Sequence, residues 1–243
     1  MVLRCRRLLP ITLMLVVVTC SLGGEATDEA LYMPLRMTCP AEGGNFSTGS
    51  MYQASVDGLA NILSTNAATN DGFLNISFGD PRDEAFGIIW CFVDSSWADY
   101  KKCLDKAPSY VSTACPNGGT GALLYKECVL RYSDESFASM KSDELDHWFV
   151  EYVDHMGGIN KTRWKMMSQL ITEAAKSPQR FAIANGSEGL TGVHGLLQCR
   201  RDLTPDECTK CLSSKVQYLL DNYPNNSAAN NRGRSCFAKY HPC

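Results

Sequence analysis

A few residue patterns in this chain could carry chemistry. Cys208-Thr209-Lys210-Cys211 has the C-x2-C spacing with which two thiolates open a zinc site. His147, Glu151 and His155 recur at every fourth position, a spacing that sets three ligands on one face of a helix. Cys91 offers a thiol nucleophile. Asp94 and Asp202 each follow a cysteine by three residues. Each pattern has a competing structural use. No second C-x2-C or paired-histidine motif follows Cys211. The run Trp148 to Val153 alternates like a strand, which would scatter the two histidines and Glu151. No motif links a histidine to Cys91. No G-x-S-x-G, H-E-x-x-H or phosphate loop occurs. Asp94 and Asp202 read as turn or cap residues. We therefore expect a protein that is not an enzyme, with no catalytic residue, no metal and no cofactor.

The larger pattern is a repeat. Advancing each position by 108 carries Cys91, Cys103 and Cys128 onto Cys199, Cys211 and Cys236. It also carries Gly87 onto Gly195, Leu104 onto Leu212, Phe73 onto Phe181 and Pro116-Asn117 onto Pro224-Asn225. A period this long means two copies of one domain, not a solenoid of short units.

The first residues stand outside the repeat. A basic start (Arg4, Arg6, Arg7) precedes an apolar run from Leu8 to Leu22, and small residues follow. This is the pattern of a secretory signal peptide, residues 1–26. The domains expected after it are 30–137 and 138–243. No second apolar stretch of membrane-spanning length follows, so the mature chain is expected to be soluble, with no membrane span and no kinase tail after Cys243. Five glycosylation sequons agree with export, at Asn45, Asn75, Asn160, Asn185 and Asn225. A composition 44% apolar and 20% charged is that of a globular protein, and a net charge of −3 gives no electrostatic pull toward nucleic acid.

Twelve cysteines are present, and Cys5 and Cys20 leave with the signal. The remainder should mostly pair in an oxidising compartment. Cys39 and Cys115 shift onto His147 and Tyr223, so the second copy lacks both together, as a bonded pair would. That implies Cys39–Cys115. Cys208 corresponds to Tyr100, which makes Cys199–Cys208 a pair whose first-copy counterpart is broken. Cys211–Cys236 then pairs, with Cys103–Cys128 as its equivalent. Cys91 and Cys243 are left over, either unpaired or joined as an interdomain bridge.

The elements recur in the same order. Tyr52 to Ala68 and Thr162 to Lys176 show helical spacing of apolar residues. A second helix begins at Thr204-Pro205-Asp206-Glu207, with a Thr N-cap and Pro at the first helical position, and stops before Pro224. Its first-copy equivalent begins at Ser96 and ends before Pro116. Short β-type runs include Ala122 to Arg131 and Arg234 to Tyr240. Trp90, Trp97, Tyr100, Tyr110 and Tyr125 are expected to pack in the core and between the domains. The fold class is α+β: two tandem domains, each with two helices on a small antiparallel sheet, stapled by disulfides.

Cys199-x8-Cys208-x2-Cys211, preceded by Gly195-Leu196-Leu197-Gln198, resembles the plant ginkbilobin-homologous domain, also called the salt-stress-response/antifungal domain. Cys128-Val129-Leu130-Arg131-Tyr132 is close to that domain's C-x-x-R-Y ending. Tandem copies resemble the plant cysteine-rich repeat secretory proteins. The resemblance implies about five strands per sheet and a disulfide order that agrees with the repeat comparison. It also implies an apoplastic protein acting in stress, defence or root development through a protein or cell-wall glycan partner, or a mannose-type lectin with direct antifungal action. The family's mannose-binding positions read Pro40, Ala122 and Ser133 in the first copy. In the second copy they leave Asn230 and His241 as a weak remnant of a glycan site.

Overall fold

Ser50, Ser96 and Thr204 open three helices by one device. Each hydroxyl oxygen accepts a hydrogen bond from the backbone N–H three residues on, at 3.2, 3.3 and 3.3 Å. At Thr204 the device is a full capping box, since the Glu207 carboxylate accepts from the Thr204 N–H at 2.9 Å. These caps belong to a computed structural model that describes residues 32–39, 46–137, 147–156, 161–185 and 193–242. Its elements run β1 (Arg36–Thr38), α1 (Met51–Asn66), β2 (Phe73–Phe78), β3 (Ala85–Cys91), α2 (Trp97–Lys106), α3 (Val111–Ala114), β4 (Gly121–Leu124) and β5 (Cys128–Ser133). They continue with β6 (Phe149–Met156), α4 (Lys161–Lys176), β7 (Phe181–Asn185), β8 (Val193–Cys199), α5 (Pro205–Asn222), β9 (Asn226–Arg232) and β10 (Cys236–Pro242).

Two five-stranded antiparallel sheets form, ordered β1-β4-β5-β3-β2 and β6-β9-β10-β8-β7. The orders are the same once the repeat shift is applied, and β3 advanced by 108 lands on β8 at both ends. In each copy a glycine lets the first helix lie on a central strand. A Cβ at Gly87 would come within 2.7 Å of Leu59, and one at Gly195 within 2.6 Å of Met166.

Four disulfides join Cys39–Cys115, Cys103–Cys128, Cys199–Cys208 and Cys211–Cys236. Cys103 and Cys211 tie the second helix of each domain to β5 and β10. Cys91 is a buried free thiol, and burial pushes its pKa well above the usual thiol range. The Tyr100 ring stands close by: a Cβ added at Gly72 would meet both Tyr100 and Cys91. Cys243 lies outside the described residues.

Two expectations are corrected in the first copy. The helix from Ser96 does not run unbroken toward Pro116. It stops at Lys106, gives way to a 3-10 turn Pro108–Tyr110, and resumes only as α3. Pro108 lacks the N–H and crowds the preceding turn, whereas the equivalent Val216 lets α5 continue. The run Ala122 to Arg131 is a hairpin, not one strand; the Tyr125 N–H donates to the Cys128 carbonyl across its turn at 2.8 Å. Asp94 and Asp202 stand in turns, as expected, and each also bonds across the junction between the domains. Lys239 Nζ lies 2.6 Å from Asp94 Oδ2, and Asn75 Nδ2 donates to Asp202 Oδ2 at 2.7 Å.

The sheets meet by the faces turned away from their helices. In the second domain Leu197, Ala238 and Tyr240 pack with α4 and α5, while their neighbours Leu196 and Phe237 join Trp90, Phe92 and Val129 of the first domain in a separate buried cluster. Polar bonds cross the same contact. Trp90 Nε1 donates to the Arg234 carbonyl at 3.2 Å, and Gln198 bonds both the Val93 N–H and the Cys91 carbonyl. Arg201 donates to the carbonyls of Asn70 and Asp71. Of the other aromatics, Tyr125 is buried, whereas Trp97 is 62% exposed and stacks on Tyr100.

Candidate functional site

Antiparallel register arranges the outward residues of the second sheet in rows. One row reads Phe149, Arg232, Phe237, Gln198, Phe181 and enters the interdomain contact through Phe237 and Gln198. The next reads Glu151, Asn230, Lys239, Leu196, Ile183. Glu151, Asn230, Arg232 and Lys239 border a cavity of about 400 Å³, together with His241 and with Lys126, which the β4–β5 turn brings from the first domain.

The polar atoms here are fixed but incompletely matched. Asn230 Nδ2 donates to Glu151 Oε2 at 3.3 Å, and the buried Asn230 Oδ1 has no partner among the described residues. The Arg232 guanidinium lies over the Phe92 ring at 4.9 Å, and its Nε and Nη1 donors are buried with no hydrogen-bond partner among the described residues. Asn230 is 7% exposed and Arg232 6%. Burial lowers the Arg232 pKa from the ordinary arginine value, while the carboxylates of Glu151, Asp94 and Glu127 act in the opposite direction. His241 sits at the exposed end of β10, its ring 5.0 Å from that of His194 across the strand pair. Donors and acceptors held side by side suit reversible capture of a ligand rich in hydroxyl groups.

Among the described residues, the equivalent row of the first domain, Thr38, Ala122, Arg131, Ile88, Asn75, is closed at its centre. Ala122 is 7%, Arg131 8% and Ile88 0% exposed, and the Arg131 guanidinium lies 4.6 Å over the Phe137 ring. Ser133 is buried, and Pro40 lies outside the described residues. The structure thus brings Asn230 and His241 to one cavity and buries Ala122 and Ser133.

A family model described as salt stress response/antifungal matches residues 38–135 and again 154–242. The chain belongs to this family. It is 27% identical over 203 residues to an antimicrobial ginkbilobin-2-like protein of Castanea crenata, covering 81% of this chain and 82% of that protein. It is 26% identical over 202 residues to cysteine-rich repeat secretory protein 38 of Arabidopsis thaliana, covering 81% and 79%. It is also 28% identical over 190 residues to cysteine-rich receptor-like protein kinase 7 of Arabidopsis thaliana. That match covers 74% of this chain but only 29% of the kinase, whose kinase domain is separate from the matched part. The crystal structure of the tandem DUF26 ectodomain of the Arabidopsis thaliana cysteine-rich receptor-like protein PDLP5 shares the fold. It has a TM-score of 0.68 at 20% identity, covering 86% of this chain and 98% of that one.

Other singled-out residues fall elsewhere. His147 stacks on Tyr218 with ring centroids 3.8 Å apart, and its Nδ1 lies 2.9 Å from Asn231 Nδ2, whereas Glu151 faces the cavity. The His155 side chain is outside the described residues. Cys208 and Cys211 belong to two different disulfides, which removes both as zinc ligands. Among the described residues, no group of three His, Cys, Asp or Glu side chains is placed to hold a metal ion, and no helix is long and apolar enough to cross a membrane. Of the sequons, Asn75 is exposed on β2, Asn225 is part-buried just before β9, and Asn185 ends β7. Asn45 and Asn160 lie outside the described residues. Sequence reasoning missed Arg232, Lys239 and Lys126. Alternation along β9 and β10 carries the signal for the first two, but only the strand register shows that they share a row with Glu151.

Proposed function

We propose that this chain is a non-enzymatic binding protein of the plant apoplast, exported by its leader 1–26, that holds a cell-wall glycan in the groove on the second sheet. The family of secreted plant proteins to which it belongs supports the class and the compartment. One observation carries the glycan reading: Glu151, Asn230 and Arg232 stand in adjacent rows at the groove, and Asn230 Oδ1 and Arg232 Nε and Nη1 are buried there without hydrogen-bond partners among the described residues. A buried polar group without a partner costs about 1–3 kcal/mol, and sugar hydroxyls both donate and accept. The biological setting that fits is stress or defence, or root development. The five sequons are its proposed glycosylation sites.

A second reading, a mannose-type lectin with direct antifungal action, draws on the antimicrobial relative of Castanea crenata. The residues argue against a mannose preference, because Ala122 and Ser133 replace the family's polar groups in the first domain and Asn230 and His241 replace them in the second. A plant cell-wall and fungal glycan array probed with the secreted chain tests both. We expect saturable binding that Asn230→Ala weakens. No glycan bound would sink the glycan reading, and mannose bound above all other sugars would favour the second.

A further inference from the structure

Within the proposed groove, the charges select among sugars. The cavity walls carry three cationic side chains, Lys126, Arg232 and Lys239, against one carboxylate, Glu151. Glu151 is engaged by Asn230 Nδ2, and Lys239 is paired to Asp94 at 2.6 Å. Arg232 stands apart. It is 6% exposed, its guanidinium rests on the Phe92 ring, and Nε and Nη1 have no hydrogen-bond partner among the described residues, so Glu151, Asp94 and Glu127 act on it only through space. A buried guanidinium normally meets a carboxylate or phosphate through paired N–H bonds. Lys126 is exposed on its turn and adds a second positive charge to the cavity lining.

We propose, building on the glycan reading above, that the groove takes an acidic sugar, a hexuronate unit whose ring carboxylate meets Arg232 and Lys126 while a neighbouring hydroxyl donates to Asn230 Oδ1. The unfilled acceptor favours a sugar over an acidic peptide. A peptide side-chain carboxylate brings acceptors alone, whereas a pyranose bearing a carboxylate carries hydroxyl donors beside it. Lys239 stays with Asp94 and holds the first domain against the groove wall, so the site exists only in the tandem.

Calorimetric titration of the secreted chain tests this with four probes: trigalacturonate, its methyl ester, the neutral mannotriose, and triglutamate. We expect trigalacturonate to bind saturably, with affinity falling as salt is raised, and the ester and mannotriose to bind at least about tenfold more weakly, the effect of losing one charge-assisted bond. Arg232→Gln should weaken trigalacturonate by a similar factor. Because Arg232 is buried, its variant could misfold, so Lys126→Ala on the exposed turn serves as the second variant, expected to weaken binding about threefold with the unfolding midpoint unchanged. Equal binding of mannotriose and trigalacturonate would overturn the acidic preference while leaving a glycan groove standing. Triglutamate binding as tightly as trigalacturonate would transfer the site to acidic peptides. Trigalacturonate binding that ignores both variants would place it elsewhere, and failure of every sugar would remove the glycan reading as well.

Discussion

Trp90 and Gln198 occupy equivalent places in the two repeats, and they join the domains differently. The Trp90 indole fills the buried cluster between the sheets and donates to the Arg234 carbonyl, whereas the Gln198 amide crosses the same contact to bond the backbone at Cys91 and Val93. One row further along, the contrast is functional. The first domain has Ala122, Arg131 and Ile88, all buried, and the second has Asn230 and Lys239 on the wall of a cavity, with Leu196 beside them in the interdomain cluster. Duplication supplied two like frameworks, and the side chains on their helix-free faces made one a packing surface and the other an opening. The same frame therefore tolerates either outcome, because its stability rests on helix packing, Gly87 or Gly195, and the shared disulfide between second helix and sheet.

The largest effect should come from Trp90. Trp90→Ala leaves a cavity in the interdomain cluster and should cost about 3–5 kcal/mol, against about 1–3 kcal/mol for Gln198→Ala, which leaves backbone groups unpaired. Urea unfolding of both variants checks the order, and a costlier Gln198→Ala would break the contrast between filling and bridging. Next comes the lost bridge. Tyr100→Cys should let position 100 pair with Cys91 as Cys208 pairs with Cys199, adding about 2–3 kcal/mol by loop closure before the lost ring packing is subtracted. Thiol counting on unfolded, unreduced protein should find one fewer free thiol than in the parent; one more would show that the first domain can no longer close that bridge. The smallest effect concerns the rows themselves. Ala122→Asn buries an amide in a closed face and should cost about 1–3 kcal/mol. Asn230→Ala should change stability by no more than about 1 kcal/mol, because it loses only the 3.3 Å bond from Nδ2 to Glu151 while Oδ1 has no partner among the described residues, yet weaken glycan binding. Equal thermal shifts in the two variants would mean that the faces are not differently filled.

The sequence alone determined the repeat, the fold class and the disulfide pairs, because these follow from spacing and from joint loss of partners at equivalent positions. It also determined where helices begin, since an N-cap acts within a single turn. The break at Pro108 was equally local and could have been read from that residue. Tertiary structure alone decided which sheet faces meet, that Asp94 and Asp202 with identical spacing clasp Lys239 and Asn75 across the junction, and that Arg232 and Asn230 share a cavity with Lys126. The reason is physical: alternation along a strand says which residues point the same way, but long-range pairing sets the register, and packing between domains decides which of those residues are covered.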